Sequence, residues 1–356
     1  MSEQATVVLL YNNIATEETT QGQEISKEDL DFKPYFDLEE TPAEEEYASI
    51  EKGLLDAGYK VISYNVKDSF DRLFKFLSRR KFDIIFNLVE FFNGRAENEM
   101  NVASLYELMK LPYTGADPLA LANCQNKPLA KELLRANHLP TAASFTVNRM
   151  EEFPKRNRLR YPVIVKPAYE DGSGGIENAS IVSNLKALKA RVQFVLEDFK
   201  MPALVEEFIE GRELNVAVLG NGEEKRALPI SEINFDSMPD ELYKIVSYQA
   251  KWDPLHAAYH TTIPNCPADL PERTSARAQT IALKASEIMG TRDYARVDMR
   301  LNKKGELYIL EVNPNPNLSE GTGIARSAEA ARLPFSALLK AITESALQRY
   351  NHNSEE

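Results

Sequence analysis

Two short runs with strand character, 294–301 and 306–313, joined across Asn302-Lys303-Lys304-Gly305, constrain this chain more than any other feature. Side chains i and i+2 on a strand point the same way. The first run therefore sets Arg296 and Asp298 on one face, and the second does the same for Glu311 and Asn313. A hairpin brings the two pairs together. Two carboxylates and an amide oxygen make a hard oxygen site suited to Mg2+. Arg296 beside them can hold a phosphate oxygen or a developing anion. The competing reading is an Asp–Arg ion pair and a Glu on a solvated strand, which is common. It is disfavoured by the conjunction of both pairs with the Asn-Pro-Asn-Pro-Asn segment at 313–317. A Pro-punctuated segment cannot continue a central strand and must leave the sheet, where sites on loops are usually built.

At 356 residues the chain is too long for one small core and fits two or three domains. A net charge of -12 argues against a general nucleic-acid binder or an anionic-membrane binder. It does not exclude a nucleotide held by local Lys and Arg. No apolar run approaches the roughly 20 residues of a membrane span. No basic region followed by an apolar core and cleavage site is visible near the first residue, so no secretory signal is expected. Cys124 and Cys266 form neither a metal spacing nor a disulfide framework. The cytoplasm is the expected compartment.

Toward its start the chain alternates strand and helix patterns. Strands are expected at 5–11, 60–64 and 82–89, and amphipathic helices at 44–58 and 68–80, the latter with Phe70, Leu73, Phe74 and Leu77 on its apolar face. Such alternation means parallel pairing in an α/β sheet. The acidic stretch 14–46 reads as a long loop or as a lid over substrate. Ligands of open α/β sheets sit at the carboxyl ends of strands. Glu90, with Arg95, Glu97 and Glu99, is therefore a candidate substrate contact, or else a solvated charge. A turn-rich joint at 113–118 marks a domain boundary near 115, and 119–137 reads as one helix.

Residues 161–182 read as strand, glycine-rich loop, strand, with Lys166 upstream of Gly172-Ser173-Gly174-Gly175. Glycines let backbone N–H groups approach phosphate oxygens. No Gly-Lys-Ser/Thr follows and no helix opens, so this is neither a Walker A loop nor a dinucleotide fingerprint. Strands are expected at 203–208 and 214–219. Their connection could read adenine through backbone groups, with Glu213 taking ribose hydroxyls, or be a solvated acidic linker. The stretch 235–262, which contains Lys251-Trp252, reads as a loop long enough to be a lid.

Four blocks in family order, LMKLPYTGADPLALANCQNK, VKPAYEDGSGG, LVEEFIEGRELNVAVLG and YARVDMRLNKKGELYILEVNPNPNLSEGTG, resemble those of D-alanine–D-alanine ligases, enzymes of the ATP-grasp fold. The resemblance covers roughly 82–340. It implies an α/β domain (1–115) followed by two α+β lobes (116–205 and 206–356) that clamp ATP. Carried over by position, Lys127 and Lys166 contact phosphates, and Gly172, Ser173 and Gly174 close over them. Glu206 accepts from the adenine amino group, while Glu207 and Ile209 offer backbone contacts. Glu213 takes the ribose, and Lys251 reaches the terminal phosphate. Asp298, Glu311 and Asn313 hold two Mg2+ ions, for which Mn2+ can substitute. Arg296 stabilises the acyl phosphate and tetrahedral intermediate. Asn317 and Ser319 belong to a segment that presents N–H groups to a substrate carboxyl. A homodimer acting on small molecules or peptides is implied.

The chain departs from the family on the alanine side. The family's short glutamate-bearing loop gives way to 14–46. Its His-Gly-x-x-Gly-Glu-Asp-Gly block becomes Glu90-Phe91-Phe92-Asn93-Gly94-Arg95-Ala96-Glu97. A phosphate-loop serine aligns with Gly172 and the lid tyrosine with Trp252. The expected activity is amide or peptide bond formation through an acyl phosphate, on substrates other than two D-alanines. Alternatives are a D-alanine–D-alanine ligase with a divergent pocket, a non-catalytic ATP-binding regulator, and a kinase without an amine step.

Overall fold

A computed structural model describes residues 4–14, 32, 34–36 and 42–352. Most of the acidic stretch 14–46 therefore lies outside the described residues. The first sheet is parallel, in the order β2-β1-β3, from β1 (Thr6–Tyr11), β2 (Lys60–Asn65) and β3 (Ile84–Leu88). Parallel strands need cover on both faces. On one face Val7, Leu9, Ile84 and Phe86 pack on α1 (Ala43–Asp56) through Ile50 and Leu54. On the other, Val8, Leu10 and Ile85 pack on α2 (Phe70–Leu77) and α3 (Glu99–Leu108). The apolar face expected for α2 splits: Leu73 and Leu77 are buried, whereas Phe70 and Phe74 stack on each other in solvent.

The single helix expected at 119–137 is two, α4 (Pro118–Gln125) and α5 (Lys127–Ala136). Pro128 has no N–H for the ladder and its ring would clash with the preceding turn, so the helix must restart. Asn126 caps the restart by accepting from Leu129 N–H at 3.1 Å. Lys127 N–H meanwhile donates to Ala168 O at 3.2 Å, fixing the start of this helix beside the 163–168 segment.

The second sheet is antiparallel, β4-β7-β5-β6, from β4 (Ser144–Val147), β5 (Val163–Pro167), β6 (Ile181–Val182) and β7 (Ala203–Glu207), with α6 (Leu185–Phe194) on its apolar face. The third runs β11-β10-β8-β12-β13 with β9 (Arg226–Ala227) beside β8. Its strands are β8 (Gly211–Leu219), β10 (Ser231–Asn234), β11 (Ile263–Asn265), β12 (Tyr294–Asn302) and β13 (Leu307–Asn313). Helix α9 (Glu272–Met289) covers one face through Ala278, Ala282 and Ala285. The other face is left for the site.

The stretch 235–262 is not all loop. It holds α7 (Tyr248–Trp252), capped by Ser247, and α8 (Ala257–Thr261). From the N-terminal part, Tyr35 and Phe36 N–H both donate to His260 Nδ1 on α8, at 3.1 and 3.0 Å. The chain ends in α10 (Gly323–Ala330) and α11 (Phe335–His352). Helix α11 returns to the first sheet, adding Leu338, Leu339 and Ile342 to its core. Among the described residues no helix is long and apolar enough to cross a membrane.

Gly115 sits where the domain boundary is expected and joins the first sheet to the site. Its φ is +92°, and a Cβ there would stand 2.4 Å from Asn315 Oδ1. That oxygen accepts from Ala116 N–H at 2.9 Å, and Asn315 Nδ2 donates to Glu99 at 2.7 Å. Gly115→Ala is expected to cost about 1–3 kcal/mol, from the strained φ and the displaced asparagine. Urea unfolding at neutral pH measures it.

Candidate active site

A cleft between the second and third sheets gathers most of the polar residues singled out above. Strand alternation explains why. On β12, Ala295, Val297, Met299 and Leu301 enter the core while Arg296, Asp298 and Arg300 line the cleft. On β8, Leu214, Val216 and Val218 go inward while Glu213 and Asn215 line it. The hairpin pairs Asp298 with Glu311 and Arg296 with Asn313. A bulge beside Asp298 lets Met299 pair with Ile309, skipping one residue. Leu307, Ile309 and Val312 therefore stay in the core, and both Leu310 and Glu311 reach the cleft.

Asp298 is held on all sides. Arg296 grips it with Nε and Nη2 at 2.7 and 2.8 Å, Asn215 Nδ2 donates at 2.7 Å and Asn313 Nδ2 at 2.9 Å. Asn313 thereby keeps its amide oxygen available. Glu311 makes no ion pair this short, yet it faces more positive charge. Burial alone would raise its pKa, but Lys127, Lys251, Lys166 and Arg296 outweigh burial and hold it at about 2. Among the described residues no three His, Cys, Asp or Glu side chains cluster tightly enough for an all-protein metal cage. Two carboxylates facing three lysines instead fit a divalent ion that takes its remaining oxygens from phosphates.

Lys166 and Ser173 line the cleft, as do Glu206, Glu207 and Ile209 on the connection from β7, and Lys251 on α7. Glu206 is almost fully buried between two lysines, Lys131 at 2.6 Å and Lys166 at 2.5 Å. Burial pushes its carboxyl up, but the two ammonium groups win and hold it at about 2. The Glu207 carboxylate pairs with Arg160 at 2.7 Å, and its backbone N–H donates to Ala143 O at 2.9 Å. Glu213 is bound by Arg300 at 2.8 Å, and Arg300 lies between the rings of Phe208 and Phe235.

The glycine loop is arranged differently from the expectation of free N–H donors. Gly172 N–H is taken by Asp171 Oδ1 at 2.6 Å and Gly174 N–H by Asp171 O at 2.8 Å. Ser173 is the loop residue on the cleft. The loop docks on the 235–262 stretch: Trp252 Nε1 donates to Gly172 O at 2.8 Å and Ser173 Oγ to Val246 O at 2.9 Å. Lys127 lies off the cavity wall, its ammonium donating to Glu170 O.

Glu90, Asn317 and Ser319 stand apart, near the carboxyl end of β3. Ser319 N–H is not free for a substrate carboxyl, because Asn317 Oδ1 takes it at 2.6 Å. The Ser319 hydroxyl donates to Glu46 at 2.9 Å. Glu90 is reached by water but walled by protein. Burial first, then Asp171 and Glu46, raise its pKa to about 7. Glu99 is raised well above the carboxylate range by burial, against its bond from Asn315.

Sequence reasoning missed Lys131, Asn215, Arg300 and Arg326, all close to the cleft or lining it. For three of them a signal was present: Arg300 is i+4 from Arg296 on one strand face, Asn215 is i+2 from Glu213, and Lys131 is one helical turn beyond Lys127.

Residues 133–344 match the family model described as D-ala D-ala ligase C-terminus. A D-alanine–D-alanine ligase of Syntrophobacter fumaroxidans is 33% identical over 259 residues, covering 72% of this chain and 78% of that protein. The uncharacterised protein y4sG of Sinorhizobium fredii is 32% identical over 270 residues, 76% of each chain. In fold, the Bacillus anthracis D-alanine–D-alanine ligase complexed with ATP superposes with a TM-score of 0.72 at 19% identity, over 98% of this chain and 99% of that one. With the hairpin, the clamp of two sheets and these likenesses together, the chain belongs to the D-alanine–D-alanine ligase family of ATP-grasp enzymes, ATP-dependent ligases that join a carboxylate to an amine.

Proposed function

We propose that this enzyme activates a carboxylic acid by phosphorylation and transfers the acyl group to an amine, on an acid and amine other than two D-alanines. One observation carries the reading: Asp298 and Glu311, paired across the β12–β13 hairpin, line the same cleft as Lys166 and Lys251. A carboxylate is a poor electrophile. An acid oxygen attacks the terminal phosphorus, the bond to the bridging oxygen breaks and ADP leaves. The amine nitrogen then attacks the acyl carbon, loses a proton and expels phosphate. The protein must position the reactants, balance charge and exclude water.

In this reading Lys127, Lys166 and Lys251 neutralise the phosphates, and Ser173 with the Gly172–Gly174 loop covers them. Glu206 accepts from the adenine amino group beside the backbones of Glu207 and Ile209, and Glu213 meets the ribose. Asp298, Glu311 and the Asn313 oxygen would hold Mg2+, which would supply positive charge toward the phosphoryl oxygens. Arg296 steadies the anion formed at the acyl carbon. The domains divide near 115 and 205, the compartment is the cytoplasm and the assembly is a homodimer. Light scattering tests the assembly.

The second half-site favours an amine that arrives as ammonium. Glu90, Glu99, Asp171 and Glu46 act on one another electrostatically there. With its pKa near 7, Glu90 can take the ammonium proton at neutral pH. The expected result is that kcat/KM for the amine falls below about pH 7 and that Glu90→Gln removes this limb while lowering the plateau about a hundredfold. Rate–pH profiles check it.

A phosphate-release screen of amino acids and short peptides in pairs tests the whole proposal. ADP should appear only when both acid and amine are present. Product from D-alanine alone, seen by mass spectrometry, would place the enzyme with its named relatives instead. Nucleotide binding without release across the screen would make it a regulator, and a stable phosphorylated acid would make it a kinase.

A further inference from the structure

One cation on the cleft wall has no task in this scheme. Arg326, in the second turn of α10, lines the same cavity as Arg296, Asp298 and Glu311. The other two guanidiniums of that cavity are matched by carboxylates, Arg296 by Asp298 at 2.7 Å and Arg300 by Glu213 at 2.8 Å. Arg326 is not. Its Nη1 donates to Gly321 O, a neutral carbonyl, and its Nε is buried with no hydrogen-bond partner among the described residues. Burial lowers its pKa and Arg296, a like charge, acts in the same direction, against Cys266. Arginine does not shed its proton in proteins. A partly buried cation beside another cation, with its Nε cut off from water and unpartnered, favours an anion joining it.

The surroundings favour such an anion. Thr322 begins α10 without a side-chain cap, so the first-turn N–H groups remain to be satisfied. Gly323, the next residue, also lines the cleft, and a Cβ there would stand 3.5 Å from Arg296 Cδ.

We propose that Arg296 and Arg326 form a two-guanidinium seat for an oxyanion of the reacting acid, a phosphoryl group or a carboxylate, and that Arg326 is a second charge-stabilising residue of the reaction. This assignment rests on the ligase reading. The transferred phosphoryl keeps its negative charge from its departure from ADP until it leaves as phosphate. Arg326 is placed to follow it through both steps while Arg296 stays anchored to Asp298.

Calorimetric titration separates the two sources of the oxyanion. Inorganic phosphate is titrated into enzyme saturated with ADP and Mg2+, and acetate into enzyme holding a non-hydrolysable ATP analogue. Arg326→Gln should weaken one of these at least tenfold, Arg326→Lys should retain most of it, and ADP affinity should stay within about twofold in both variants, which also reports that they fold. Loss confined to phosphate assigns the seat to the phosphoryl group, and loss confined to acetate assigns it to the carboxylate. Unchanged affinity in both arms, or no measurable binding of either ion to the unaltered protein, overturns the proposal. If ADP does not bind the unaltered protein, the ligase reading fails instead, and the phosphate arm run without nucleotide still decides about Arg326.

Discussion

Replacing Glu311 by glutamine is expected to lower turnover about a thousandfold while nucleotide affinity holds or improves. The substitution keeps shape and removes one negative charge. That charge sits among Lys127, Lys251, Lys166 and Arg296, which together hold the carboxyl at about 2 despite burial. Without it the four cations lose a counter-ion and attract a triphosphate at least as strongly as before. In the proposed scheme, what would be lost is an oxygen donor to the divalent ion at the transferring phosphoryl group. A merely structural glutamate would give the opposite pattern, with binding and turnover failing together. ADP release and titration of an ATP analogue, on the same preparation, distinguish the two. A fall in turnover below tenfold with binding intact would remove Glu311 from the metal site.

The same hairpin shows why part of this site was legible in the sequence and part was not. Period-two alternation is local, so Arg296 and Asp298, or Glu311 and Asn313, declare a shared face from their spacing alone. The parallel first sheet was equally legible from alternating strand and helix patterns. The bulge that turns both Leu310 and Glu311 to the cleft is a property of pairing and leaves no mark in one strand's spacing. The break at Asn126 was legible and overlooked, since Pro128 forbids a continuous helix. The Phe70–Phe74 stripe misled because amphipathic spacing says which residues share a face, not what covers it. Helix α11 joins the first sheet although more than two hundred residues separate them, and no local pattern reports that. Contacts of this kind also decide Ser319, whose N–H is used by Asn317 and whose hydroxyl turns to Glu46. Recognising the family named a nucleotide half residue by residue, and several of those residues, Lys166, Ser173, Glu206, Glu213 and Lys251 among them, line one cleft. It said little about the acid and amine half, where the chain departs from the family's motifs.

Glu206→Ala is expected to cost about 3–5 kcal/mol of stability, because it strands two buried lysines. Lys131 and Glu206 are only 2% and 1% exposed, and Lys166 completes the group at 2.5 Å. Lys131 also donates to Thr141 at 2.9 Å, which ties α5 to the segment beside β13. Lys131→Met should cost less, since Glu206 keeps Lys166 and only half its compensation. The double replacement Lys131→Met with Glu206→Leu should recover only the part of the loss due to Lys131, since Lys166 is still left without its partner. The pH dependence has a fixed sign. Glu206 is held at about 2 in the fold, below its ordinary 4.5. Its contribution is therefore complete above about pH 4.5 and disappears as pH falls toward 2. Between those limits the unaltered protein should lose stability more steeply than the double variant, measured by urea unfolding at stepped pH. If the double variant is stable yet binds ATP and GTP alike, Glu206 is retained for choosing the base rather than for holding the fold. If it is stable and still prefers ATP, adenine recognition belongs to the backbone of Glu207 and Ile209 instead.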